Sequence, residues 1–250
     1  MLDAITPLIL TRDEEPNIAR TLGQLAWAKE VVVIDSGSTD RTVDVARNFP
    51  NVRVVERPLD DLASQWTFAV DQARTPWVLT LDADYFVPDA FASELDALTP
   101  PPDAAGFEAS FVYAIDGRPV RGSLYTPRIV LLRRGRFSFY MDGHTQRVRT
   151  EGPTLPLATK LIHDDRKPFA RFVQRQRRYM RDEAAKLRTT TSGELPLSGR
   201  VRKLVVIAPF VVPLYTLFAK GAILDGMAGA RYAFERTVAE CILSWELIRR

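Results

Sequence analysis

Apolar positions in the first third of the chain switch between two periods. Short apolar runs at ITPLIL (5–10), VVVID (31–35), VRVV (52–55) and WVLTLD (77–82) read as strands. Between them, residues 14–28 put Ile18, Leu22 and Leu25 at helical spacing, 38–49 begins on capping residues, and 62–73 is again helical. Near-continuous apolar strands separated by helices predict a parallel sheet covered on both faces. After residue 86 the pattern changes. Prolines at 99–103 mark a loop, and strand-like pieces follow at 106–115, 128–134 and 136–141, a mixed α+β half of the same domain. Residues 166–190 then read as a basic helix with Phe169, Phe172, Val173, Gln176, Tyr179 and Met180 on one stripe. Past a linker at 189–199, no residue from 204 to 219 is charged. That run is short of the roughly 20 residues a spanning helix needs. Pro209 and Pro213 are expected to break or kink a helix there. Residues 230–250 close the chain as an amphipathic helix. This organisation predicts an α/β domain over 1–165 and a helical, partly apolar extension over 166–250.

Composition narrows the class. A chain of 250 residues with 46% hydrophobic and 26% charged residues suits one large domain plus an appendage and excludes a disordered chain. Cys241 is the single cysteine, so an intrachain disulfide and a cysteine-based zinc site are both excluded. The opening MLDAITPLIL lacks the basic start of a secretory signal, and a cytoplasmic location is expected. The net charge of +3 conceals an asymmetry. Residues 1–165 hold 17 Lys and Arg against 24 Asp and Glu, whereas residues 166–250 hold 17 against 7. A basic tail on an acidic body points to an anionic partner, a membrane surface or nucleic acid. No nucleic-acid-binding module is recognisable, so no nucleic-acid partner is expected.

Carboxylates collect at the strand ends. The first strand runs into Asp13, Glu14 and Glu15, the second ends at Asp35, and the fourth at Asp82 and Asp84. Open parallel sheets bind ligands outside the carboxyl ends of their strands, so these acids should share one rim. In extended backbone Asp82 and Asp84 point the same way, with Ala83 turned aside. Paired oxygen ligands suit Mg²⁺ or Mn²⁺, whose open positions take phosphate oxygens. A nucleotide diphosphate follows. Two ordinary turn aspartates would look alike in isolation; the shared rim with Asp35 favours the ligand. No G-x-G-x-x-G follows any strand, against a dinucleotide dehydrogenase. The loop TRDEEPN is acidic and lacks glycine, against a sugar-nucleotide nucleotidyltransferase.

Taken together, LILTRDEEPNIARTL (8–22), VVVIDSGSTDRT (31–42) and WVLTLDADY (77–85) resemble a family 2 glycosyltransferase of the GT-A fold. PRIVLLRRGRFSF (127–139) and FAKGAILDGMAG (218–229) extend the likeness to the subgroup that glycosylates lipopolysaccharide core and related envelope glycans. The resemblance implies a Rossmann-like nucleotide-diphospho-sugar transferase fold. It implies Asp35 on the nucleoside, most often uridine, and Thr11 to Glu15 lining the base pocket, with Asp13-Glu14 replacing the usual Asn-Glu. It implies Asp82 near the sugar or ribose, Asp84 on the metal, and His163 as a further metal or diphosphate ligand, with a turn histidine as the plainer reading.

Family 2 enzymes invert the anomeric centre, which requires a general base. Alignment on Arg147-Val148 puts Thr145-Gln146 where the subgroup has His-Glu, and Gln cannot act as a base. Asp142 and His144 are the nearest candidates, and Asp142 is preferred because carboxylates usually serve; a simple DGHT turn is the alternative. The departure also leaves open a catalytically inactive membrane scaffold. No Gln-x-x-Arg-Trp occurs, so transfer of a single sugar is expected rather than processive synthesis. The basic helix and apolar run predict attachment to an anionic membrane surface at the inner face of the cell membrane, presenting a lipid-linked or glycan acceptor.

Overall fold

A seven-stranded sheet organises the first part of the chain. The computed structural model describes residues 1–142 and 145–249. Its first four strands are β1 (Ile5–Thr11), β2 (Val31–Asp35), β3 (Val52–Glu56) and β4 (Trp77–Asp82). β1 pairs in parallel with both β2 and β4, and β2 with β3. Every residue of β2 is buried, as a strand covered on both faces requires. Three helices connect the strands: α1 (Glu15–Gly23), α2 (Thr42–Arg47) and α3 (Leu62–Asp71). Ile18, Leu22 and Leu25 all pack into the core, although Leu25 lies just beyond the end of α1. α2 is shorter than the span 38–49, because Ser38 and Thr39 spend their side chains on neighbouring loop carboxylates instead of starting a helix.

The remaining elements add a mixed half to this frame. β5 (Tyr85–Phe86) and α4 (Asp89–Ala97) come first. The stretch 106–115 is two strands, not one: β6 (Gly106–Ala109) and β7 (Phe111–Ile115), in different sheets. Then come β8 (Arg118–Val120), β9 (Arg128–Arg133), β10 (Phe137–Asp142), β11 (Thr145–Thr150), β12 (Thr154–Pro156) and β13 (Leu161–His163). The large sheet runs β12-β6-β9-β4-β1-β2-β3. β9 enters antiparallel to β4. The parallel order reverses between β1 and β4, the switch point where such sheets bind ligands. β10 and β11 form a separate two-stranded ribbon, with Phe139 stacked 6.1 Å from Trp66 of α3.

By contacts the chain divides into two units, Met1–Val112 with Tyr125–Arg166, and Tyr113–Leu124 with Lys167–Arg250. A single division after residue 165 would leave 113–124 in the first unit; those residues pack within the second. There Tyr113–Ile115 pairs with β8 across Asp116 and Gly117, both at positive φ, the two-residue turn that Asp-Gly favours. Four helices complete the unit: α5 (Phe169–Thr189), α6 (Leu197–Lys203), α7 (Ala208–Leu214) and α8 (Gly226–Ile248). Met180, Ala184 and Leu187 of α5 pack with Leu243 of α8. From Ala208 the apolar run is helical despite its prolines. Pro209 lies in the first turn, where a missing N–H costs nothing. After Pro213 the helix widens, and the Lys220 N–H reaches the Tyr215 carbonyl at 3.0 Å.

Candidate functional site

The loops after β1 and β2 are tied together by side chains. Asp35 pairs with Thr11 across the β1–β2 ladder and is only 2% exposed. A buried carboxylate needs donors, and four reach it. The Gly37 and Ser38 N–H groups donate to Oδ2 at 3.0 and 2.8 Å, while the Thr11 hydroxyl, at 3.1 Å, and the Ser38 hydroxyl donate to Oδ1. Asp13 adopts φ +52°, which Asp tolerates better than most residues, and its carboxylate accepts the Thr39 N–H at 2.8 Å. The Glu14 N–H donates to the Thr42 hydroxyl at 2.7 Å, and its carboxylate accepts from Asn17 at 2.9 Å. Thr11, Asp13 and Asp35 therefore share one hydrogen-bonded rim through Ser38, and Glu14 beside it is held by Thr42 and Asn17.

Asp82 stands on the other side of β1. It pairs with Leu10, one residue from the Thr11–Asp35 pair. Two strand spacings separate the acids, about 10 Å. Asp82 and Asp84 do not share an extended segment, because the chain turns at Ala83–Asp84. The Asp82 side chain is 40% exposed and faces Arg128 at 3.6 Å, whereas that of Asp84 is 8% exposed. Its Oδ2 lies 3.2 Å from His163 Nε2. His163 is no turn histidine: it sits in β13, opposite Tyr85 of β5, which places it beside Asp84. Burial alone would lower the His163 pKa, but the Asp84 charge and hydrogen bond overcome this and hold it above its ordinary value.

Helix α1 braces this turn from below. The Thr21 hydroxyl, fully buried, lies 2.6 and 2.8 Å from the carbonyls of Ala83 and Tyr85. Arg20 donates to the Asp164 carboxylate at 2.9 Å and to the Asp164 carbonyl at 2.5 Å, and lies 3.5 Å from the Asp84 carbonyl. One guanidinium thus grips both segments that carry Asp84 and His163. Aromatic rings line the same place. Tyr125 stacks on His163 at 4.8 Å, its hydroxyl lies 2.6 Å from that of Tyr85, and Arg128 lies 4.9 Å over the Tyr125 ring. Burial pushes both phenols well above their usual pKa, so neither serves as a base near neutrality. Sequence reasoning missed Arg20, Tyr125, Arg128 and Asp164. Arg128 carried no local signal: the antiparallel register that pairs Leu79 with Leu131 and Trp77 with Arg133 sets it opposite Asp82.

Asp142 lies elsewhere in the same unit. It ends β10 on the two-stranded ribbon, with Arg147 Nε 3.6 Å away. It is the last residue of β10, paired with Thr145 across the DGHT connection, and belongs to a different sheet from Asp82. His144, the other candidate base, lies outside the described residues. Among the described residues, no group of three or more His, Cys, Asp or Glu side chains is arranged to hold a metal ion. Asp84 with His163 supplies two donors. Two ligands at right angles on one ion, each about 2.1 Å from it, lie about 3 Å apart. As found, the 3.2 Å spacing is an ion pair, His163 donating to Asp84; with His163 neutral, the same spacing would suit two ligands of one divalent cation.

The family model of glycosyl transferase family 2 matches residues 8–157, which run from within β1 through β12 and hold all of the rim acids. The chain belongs to glycosyl transferase family 2. Among the curated relatives of this family 2 glycosyltransferase is the lipopolysaccharide core biosynthesis glycosyltransferase LpsC of Rhizobium meliloti (strain 1021). It is 25% identical, with 92% of this chain and 89% of LpsC covered. An uncharacterized glycosyltransferase of Rickettsia typhi (strain ATCC VR-144 / Wilmington) is 32% identical over 37% of this chain and 32% of its own length. Among solved structures, the mannosyltransferase PcManGT of Pyrobaculum calidifontis, solved with GDP-Man and Mn²⁺, superposes with a TM-score of 0.54 at 16% identity. The match covers 99% of this chain and 88% of PcManGT. The family 2 glycosyltransferase thus has the GT-A fold, with a helical C-terminal region.

Proposed function

We propose that this glycosyltransferase moves one sugar, with inversion, from a nucleotide-diphosphate sugar, UDP-linked by the family resemblance, to a lipid-linked or envelope glycan acceptor. The observation that carries the donor reading is the placement of Asp35 and the Asp84–His163 pair on either side of β1 at the switch point of the sheet. A nucleoside on the Thr11–Asp35 rim would send its diphosphate toward Asp84. Asp84 and His163 would hold Mg²⁺ or Mn²⁺ there. Bound in that place, the ion would neutralise charge building on the leaving diphosphate. Arg128 adds a fixed cation beside Asp82. The acceptor hydroxyl would attack the anomeric carbon from the face opposite the diphosphate, passing its proton to a base, for which Asp142 is the candidate. Likeness to LpsC along most of both chains supports a lipopolysaccharide core acceptor.

The test is thermal. Melting is followed with UDP and GDP, each with Mn²⁺ and again with EDTA, for the unaltered chain and Asp84→Asn. A nucleotide at 100 times its Kd adds about 2.7 kcal/mol. The reading expects stabilisation by UDP with Mn²⁺, loss of it with EDTA, and loss of the metal-dependent part in Asp84→Asn. No shift with any nucleotide would leave an inactive scaffold as the better description. Stabilisation by GDP alone would change the donor.

A further inference from the structure

We propose that the second unit docks on an anionic lipid bilayer, with one face of residues 207–227 lying in the headgroup region. The inference does not depend on the catalytic reading. Among the described residues, large apolar side chains exposed to solvent fall almost wholly in this unit, Tyr140 and Met141 apart. Ile207, Phe210, Val211, Leu214 and Phe218 recur at helical spacing along α7 and the turn after it, and all are exposed. The opposite face carries Ala208 and Thr216, which are buried. This is an amphipathic helix turned inside out, its greasy face outward and its small residues inward. Leu224 and Met227 extend the apolar surface into the start of α8, with Met227 78% exposed. An exposed apolar patch of this kind marks an interaction site.

Charge chooses the partner. Between Glu194 and Asp225 the chain has no acid and carries Arg200, Lys203 and Lys220, while Arg202 there is paired with Glu240 of α8, at 2.8 Å. Two exposed aromatics carry cations at their rings: Lys220 lies 5.9 Å from Tyr215, and Arg249 lies 5.9 Å from Trp245. Tyr and Trp beside Lys and Arg are the residues that settle at the water–lipid boundary. A second copy of this chain is a poorer occupant, because a two-fold pairing of this face would set its basic residues against each other. Crossing the bilayer is disfavoured too. Among the described residues no single helix is long and apolar enough to span, and the helix pair Ala208–Ala219 and Ala222–Ile248, which passes by length and composition together, is bent by 72°.

The test sediments the full chain with vesicles of phosphatidylcholine alone and with added phosphatidylglycerol. Expected is at least tenfold stronger partitioning onto the anionic vesicles at low salt, weakened by added NaCl. The combined variant Phe210→Ser, Phe218→Ser, Met227→Ser should lose at least tenfold in partitioning. It should keep the circular dichroism spectrum and nucleotide-dependent melting shift of the unaltered chain. Asp84→Asn should bind vesicles normally, which separates failure here from failure of the catalytic reading. Absence of binding to either vesicle overturns the proposal, as does a triple variant that binds as well as the parent. A concentration-dependent dimer that the triple variant abolishes, without vesicle binding, assigns the face to a second copy instead.

Discussion

At the residue scale, the site depends on supports as much as on its acids. Arg20 reaches Asp84 through its carbonyl and holds that turn to Asp164, the neighbour of His163. Replacing it with Met leaves the Asp164 carboxylate, almost fully buried, with one cation fewer, a cost of about 1–3 kcal/mol. A purely structural role predicts only a lower Tm. A positioning role predicts, in addition, weaker Mn²⁺ binding by electron paramagnetic resonance, partly rescued in Arg20→Lys. Unchanged Mn²⁺ affinity in Arg20→Met would remove the positioning role. On the nucleotide side, Ser38→Ala deletes a hydroxyl that bonds Asp35 and receives the Asp13 N–H. Its expected cost is about 1 kcal/mol in chemical denaturation, with nucleotide affinity reduced more than Mn²⁺ affinity. The Asp84–His163 pair was only half legible. Asp84 advertises itself as an acid after an apolar strand, but its partner is 79 positions away and meets it only because β13 pairs with β5.

At the scale of elements, close packing sets tolerance. In the second unit Gly229 of α8 faces the preceding turn, and a Cβ there would overlap the Ala222 carbonyl oxygen. Overpacking typically costs about 1–3 kcal/mol. Gly229→Ala is therefore expected to lower the melting temperature by several degrees in calorimetry, whereas Gly193→Ala, with open space around its Cβ, should not. Strand and helix types were readable because each carries its own period. The boundaries were less so. Helix 38–49 contracted to α2 because side chains of Ser38 and Thr39 found carboxylates on β1 and β2 loops, contacts invisible to a local pattern. The break of 106–115 into two strands had a weaker sign, since its Asp116-Gly117 turn belongs to the second strand alone.

At the scale of the whole molecule, charge and greasiness are segregated along the chain. The acidic sequence up to residue 165 carries the site residues, and the basic remainder carries most of the exposed apolar side chains. The sequence by itself determined the parallel α/β frame, since buried strands need uninterrupted apolar runs. It also determined which ends carry acids, and that the tail is basic and apolar. The family followed from three strings in order. Tertiary structure decided the rest. It turned Asp84 away from Asp82 and inward to His163, because the chain bends at Ala83 instead of running extended. It set Arg128 opposite Asp82 through an antiparallel register no local period encodes. It also turned the apolar face of α7 outward, since burial depends on what a helix packs against and not on its composition.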